Sequence, residues 1–143
     1  VAEVTVKLPD EFLKKLTRLG EQTDAICTKM LEAGAGVVEA KIRENLQAVI
    51  GSGTQEPSRS TGELLQSLGS SEVRQDAGGV LNIKVGFAEP RSDGESNAKI
   101  ANIIEYGKHG QPPKPFLKPA KTASRAACTA AMQQTFEEEV GKL

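Results

Sequence analysis

Apolar and polar positions alternate at the start of the chain, where Ala2, Val4, Val6 and Leu8 share one side of VAEVTVKL. A period of two predicts a short strand. Pro9 and Asp10 then suit a helix entrance: proline is tolerated in the first turn, and an acid faces the unpaired N–H groups there. The period lengthens to that of a helix. Phe12, Leu16 and Leu19 form one stripe up to Gly20, and Ile26, Met30, Val37, Val38, Ile42, Leu46 and Val49 form a second. One long helix, or two separated near Gly20, is expected. Gly34 and Gly36 interrupt the second stripe at a cost of about 1 kcal/mol each against alanine. Close passage of another helix is the preferred reason, with a bend as the alternative.

GSGTQEPSRS (51–60) is a polar, flexible loop by composition. In RSTGELLQSLG, Ser60 precedes Glu63 by three residues and Leu64, Leu65 and Leu68 follow, which predicts a capped short helix or turn leading into a strand. SEVRQDAGGVLNIKVGFAEP reads as a hairpin turning at DAGG. Leu81, Ile83, Val85 and Phe87 form its buried face, and Val80, Asn82, Lys84 and Gly86 its wet face. RSDGESN (91–97) is a second flexible loop. Asn97 is placed to cap a helix carrying Ile100, Ile103 and Ile104 and ending at Gly107. A last helix runs from about Pro119 to Val140, with Ala123, Ala127 and Ala130 on one face as the expected seat for the glycines.

The predicted fold class is therefore α+β: a long N-terminal helical segment and a C-terminal helix packed on a small, mainly antiparallel sheet. Residues 1–143 are expected to form a single domain, since that length supports one core. Aromatics are 3% of residues, so Leu, Ile, Val and Ala must build that core. The start of the chain lacks the basic and apolar regions of a secretory signal. No apolar run approaches the ~20 residues of a membrane span, and no membrane association is expected. Cys27 and Cys128 share no metal or redox spacing. Two reduced, partly buried thiols are the default, and a disulfide between packed helices stays open.

No motif for nucleotide binding, zinc binding or serine hydrolysis is present. The one histidine, His109, lies in a loop near Glu105 and Tyr106 and excludes a multi-histidine metal site within the chain. A catalytic role would need a nucleophile and an orienting acid beside it. Glu89 and Asp93 sit in ordinary loop contexts, and Glu137, Glu138 and Glu139 read as a solvated helix end. No catalytic, cofactor-binding or metal-binding residues are assigned.

Charge changes this picture in one place. The net charge is −1, yet no acid occurs from Lys108 to Phe136, a stretch holding Lys108, Lys114, Lys118, Lys121 and Arg125. The last helix thus starts positive and ends negative, the reverse of what its dipole prefers. A solvated face and a surface for an acidic protein or a phosphate backbone are the two readings. In QPPKPFLKP the prolines stiffen a connector and present Phe116 and Leu117 as a fixed apolar pair for the protein's own core, with an exposed PPKP ligand for a proline-recognition module as the alternative.

Three segments together resemble the small tail-component family of long-tailed bacteriophages, associated with tail completion or head–tail joining. They are Thr61, Gly62, Leu64, Ser67 and Leu68 in RSTGELLQSLG; the strand NIKVGFAE; and Glu105, Tyr106 and Gly107 followed by Pro115, Phe116, Leu117, Lys118, Pro119 and Ala120. Glu63 and Lys118 depart from the family's usual basic residue and arginine, and Arg59-Ser60 from its usual turn. The resemblance spans nearly the whole chain. It implies a non-enzymatic virion-assembly protein of the tail or neck, assembled in the bacterial cytoplasm. Its implied partners are copies of itself, as a ring, and neck or tail-tube proteins; if DNA passes through that ring, the acid-free run adds non-specific DNA contact through Lys108, Lys114, Lys118, Lys121 and Arg125. A nucleic-acid-associated module using 108–125 is the alternative, and a small hydrolase comes third.

Overall fold

A computed structural model describes residues 3–10, 22–49, 59–89, 96–110 and 112–142, with residues 59–62 described by their backbone alone. Among the described residues four helices and four strands follow in the order β1 (Glu3–Lys7), α1 (Thr23–Val49), α2 (Arg59–Ser67), β2 (Leu68–Ser70), β3 (Arg74–Gln75), β4 (Leu81–Phe87), α3 (Asn97–Tyr106) and α4 (Leu117–Gly141). The fold is α+β, with long helices laid against a small antiparallel sheet. The stripe at Phe12, Leu16 and Leu19, with its break at Gly20, lies outside the described residues.

The sheet is organised around β4. On one side β1 pairs with it from Glu3 opposite Gly86 to Lys7 opposite Asn82. On the other side β2 and then β3 pair with it in succession, Ser70 opposite Val85 and Arg74 opposite Asn82. Residues 71–73 therefore face only Ile83 and Lys84, a bulge of one extra residue. Ser71 seals it: its N–H donates to the Lys84 carbonyl at 2.7 Å, and its Oγ accepts from the Lys84 N–H at 3.0 Å. The hairpin turn falls at DAGG as expected. Asp76 Oδ1 accepts from the N–H groups of Gly78 and Val80, each at 2.9 Å, and Gly79 takes the positive φ of 81° that the turn needs.

Val4, Val6, Leu68, Ile83 and Val85 are buried on one face of the sheet, against α1. Asn82, expected to be wet, is 8% exposed. From α1 come Ile26, Met30, Leu31, Val38, Ile42 and Leu46 at helical spacing. The helix α4 runs antiparallel to α1. Lys29 meets Glu139 at 3.1 Å near one end, Gly34 meets Cys128 and Met132 midway, and Asn45 Nδ2 donates to the Phe116 carbonyl at 3.3 Å at the other.

The close approach predicted at the glycines occurs at Gly34 only. A methyl group there would stand 3.0 Å from Cys128 Sγ and 3.0 Å from Met132 Cγ. Gly36 has open space beside it, and Ala123, Ala127 and Ala130 face solvent. The buried line of α4 is Leu117, Ala120, Ser124, Cys128 and Met132. Two parallel rows of small residues run along this helix, and only packing selects between them.

Two boundaries also move. Residues 51–58 and 91–95 of the expected loops lie outside the described residues, but Arg59 and Ser60 already belong to α2. The Ser60 side chain, expected as a cap, is not described. Ser96, rather than Asn97, caps α3, its Oγ accepting from the Lys99 N–H at 3.2 Å. Asn97 is buried and donates to the Ala88 carbonyl at 2.6 Å. Arg43 on α1 closes the far end of α2, donating to the carbonyls of Leu65 and Leu68 at 3.3 and 3.4 Å.

Candidate functional site

The α3–α4 junction gathers the residues that sequence singled out. Ile104 and Glu105 end α3 on its buried side, and Gly107, at φ 78°, terminates the helix with its N–H donating to the Ile103 carbonyl at 2.8 Å. Glu105 is 4% exposed. Its carboxylate crosses the connector and accepts from three successive N–H groups at the start of α4. These are Phe116 at 2.7 Å, Leu117 at 2.8 Å and Lys118 at 3.0 Å. The Phe116 side chain makes no cap for this helix. An acid from the preceding helix therefore supplies what a local Ser, Thr, Asp or Asn usually does.

The same arrangement accounts for the reversed charge of the last helix. No acid stands in its own first turn, yet Glu105 brings a carboxylate to the positive end of the dipole. At the other end Glu139 is not simply solvated. It pairs with Lys29 of α1 and with Lys142 at 3.2 Å, and hydrogen bonds from these two lysines hold its carboxyl below the usual range. An outside partner is not needed to explain the charge order.

Phe116 is fully buried and meets Phe87 edge-on, with ring centroids 6.1 Å apart. Leu117 and Ala120 are buried beside it, so this apolar pair fills the protein's own core. Pro115 and Pro119 are exposed, and Tyr106 is 69% exposed beside Lys108, Pro112 and Pro113. Of the earlier segment, Leu64 is fully buried, while Thr61 and Gly62 are described by their backbone alone.

His109 stands exposed in a turn before Gly110. Glu89 accepts from Ser96 Oγ at 2.8 Å and from the Ala98 N–H at 2.9 Å, so it braces the start of α3, and Asp93 lies outside the described residues. Among the described residues no cluster of His, Cys, Asp and Glu could hold a metal ion. No described helix is long and apolar enough to cross a membrane. Cys27 and Cys128 are free, buried thiols. Burial raises the pKa of both, helped at Cys27 by the Asp24 carboxylate.

The five basic residues do not form one row. Lys108 lies in the loop beside Tyr106, and Lys114 is in the connector, its N–H donating to the Ile104 carbonyl at 2.7 Å. Lys118, Lys121 and Arg125 are exposed on one flank of α4. Lys121 and Arg125 line a cleft of about 180 Å³ between that helix and β1.

Sequence reasoning missed the role of Glu105 as a clamp and that of Arg43. The available signal for the first was an acid inside the apolar stripe of α3, one residue after Ile104.

The chain matches the family described as "Bacteriophage HK97-gp10, putative tail-component" over residues 10–107, and it belongs to that family. The match covers the Thr61–Leu68 segment, the β4 strand and the Glu105–Gly107 triplet, but ends before the Pro115–Ala120 run and α4. The comparisons with curated proteins and with solved structures found no match. The protein is thus a phage tail component by family, and its setting is the virion.

Proposed function

We propose that this chain is a structural virion-assembly protein at the head-proximal end of the phage tail. It acts in tail completion or head–tail joining, through self-association and contacts with neck or tail-tube proteins. Membership of the tail-component family carries the reading. The use of the Glu105 carboxylate supports it, because the one buried acid of the motif serves a helix terminus rather than a reaction. On this reading the protein is not an enzyme. Copies of the chain join through a heterologous interface that closes into a ring.

Deleting the gene from a phage that encodes it tests the reading by electron microscopy of the lysate. The expected result is separate heads and tails, with joining restored when the chain is supplied from a plasmid. Joined, infectious particles in its absence would overturn the proposal. Native mass measurement of the chain, alone and with the tail-tube protein, reads self-association directly.

The second reading, a nucleic-acid-associated module, is favoured by one observation: Lys118, Lys121 and Arg125 share a flank of α4. Its signature is duplex binding that falls with salt at a log–log slope of about −0.9 per phosphate neutralised. Charge reversal at Lys114, Lys118 and Lys121 with DNA retention unchanged removes it.

A further inference from the structure

The cleft between β1 and α4 combines three features that the scaffold itself does not use. First, β1 is an edge strand: β4 occupies one side of it, and among the described residues no strand pairs with the other. Its outward backbone groups are a template for a further strand. Second, Lys121 and Arg125 line the cleft, both exposed and neither with an ion-pair partner among the described residues. Third, Ser124 on the same wall is 3% exposed, and its Oγ has no hydrogen-bond partner among the described residues. A buried hydroxyl left unpaired is uncommon enough to need a reason.

We propose that this cleft receives an extended acidic segment of a partner protein, which adds to the free edge of β1 and lays carboxylates against Lys121 and Arg125. The surface and its partner chemistry are independent of whether the chain sits at the head-proximal end of the tail.

The dimensions fit a strand. The five residues of β1 extend about 17 Å at ~3.4 Å per residue. On α4, the wall from Lys121 to Met132 rises about 17 Å at ~1.5 Å per residue. Lys121 and Arg125, one helical turn apart, are separated by about 6 Å of rise. Alternate side chains of a strand repeat at about 6.8 Å. Two acids separated by one residue therefore match the two cations. The next position on the same side of the strand meets Cys128 and Met132 and calls for an apolar residue. The recognised pattern is acid-x-acid-x-apolar. Main-chain pairing supplies affinity in such additions, and alternate side chains supply selectivity. A phosphate backbone would use the cations but leave the apolar wall and the alternating donors and acceptors of β1 unmatched.

The test uses the 143-residue chain and a fluorescein-labelled peptide, Thr-Glu-Thr-Glu-Thr-Val-Thr. Anisotropy reads binding, and amide hydrogen exchange by NMR reads the strand. The expected result is saturable binding with added protection at alternate residues of β1. The Lys121→Glu, Arg125→Glu double variant, with an unchanged melting temperature, is expected to weaken binding about tenfold or more. A peptide with lysine in place of both glutamates is expected not to bind. Absence of binding up to about millimolar peptide, or binding without protection of β1, overturns the proposal. A short DNA duplex that binds more tightly than the peptide, and is lost in the same variant, reassigns the cleft to phosphate and also overturns it.

Discussion

Replacing Glu105 tests the central structural claim, that one carboxylate holds the start of α4. Its three hydrogen bonds, at 2.7, 2.8 and 3.0 Å, run from main-chain donors to an acid that is 4% exposed. Bonds to a charged group contribute about 1.5–3 kcal/mol each, and orphaned buried donors cost about 1–3 kcal/mol each. The three cannot be summed, because one side chain makes them all. Water can reach the N–H of exposed Lys118 in Glu105→Ala, whereas those of Phe116 and Leu117 belong to buried residues. The expected loss is about 3–5 kcal/mol. In Glu105→Gln one oxygen still accepts from Phe116 and Leu117. The new amide turns donors toward Lys118 and the favourable charge at the helix dipole is gone, so about 1.5–3 kcal/mol is expected. Either loss is large against a typical domain stability of about 5–15 kcal/mol. Urea unfolding reads both as a lower midpoint at constant slope. Hydrogen exchange should quicken first at residues 116–118. Unfolding free energies within about 0.5 kcal/mol of the wild type would refute the clamp, and a Gln variant as unstable as the Ala variant would refute its three-bond geometry.

Other consequences follow from particular contacts. Gly34→Val should destabilise by about 1–3 kcal/mol through overpacking against Cys128 and Met132, while Gly36→Ala, in open space, should stabilise by up to about 1 kcal/mol. Thermal melts of the pair decide, and equal effects would contradict the one-sided contact. Asp76 is held below the usual carboxylate range by the Val80 N–H, then by Gly78 and Lys7, and Glu139 by Lys29 and Lys142. A depressed folded-state pKa gives stability that is present above the unfolded value and lost as pH falls through the folded one. Urea midpoints of the wild type should therefore fall below about pH 4, with a shallower fall in Asp76→Asn and Glu139→Gln; an unchanged slope would remove both carboxylates from the acid transition. Buried Cys27 and Cys128 should react slowly with a thiol-selective chromogenic disulfide in native buffer and together in denaturant. Rapid native labelling would contradict their burial.

What the sequence by itself determined is local. The period of two at Val4 and Val6, the turn chemistry of Asp76 and Gly79, and the stop at Gly107 each depend on neighbours within a few residues. Short-range sterics and hydrogen bonding therefore carry them from pattern to structure. The tail-component resemblance was legible for the same reason, in contiguous segments. Tertiary structure alone decided which row of small residues on α4 meets Gly34. Both rows satisfy a helical period, and the choice falls to the interlocking of two long helices. It also decided the cap of α4, whose donors lie eleven to thirteen residues beyond Glu105, across a connector. The cleft beside Lys121 and Arg125 belongs there too, since an open strand edge exists only once β4 has taken the other side of β1. Periodicity says that a side chain turns inward, and only packing says what it meets.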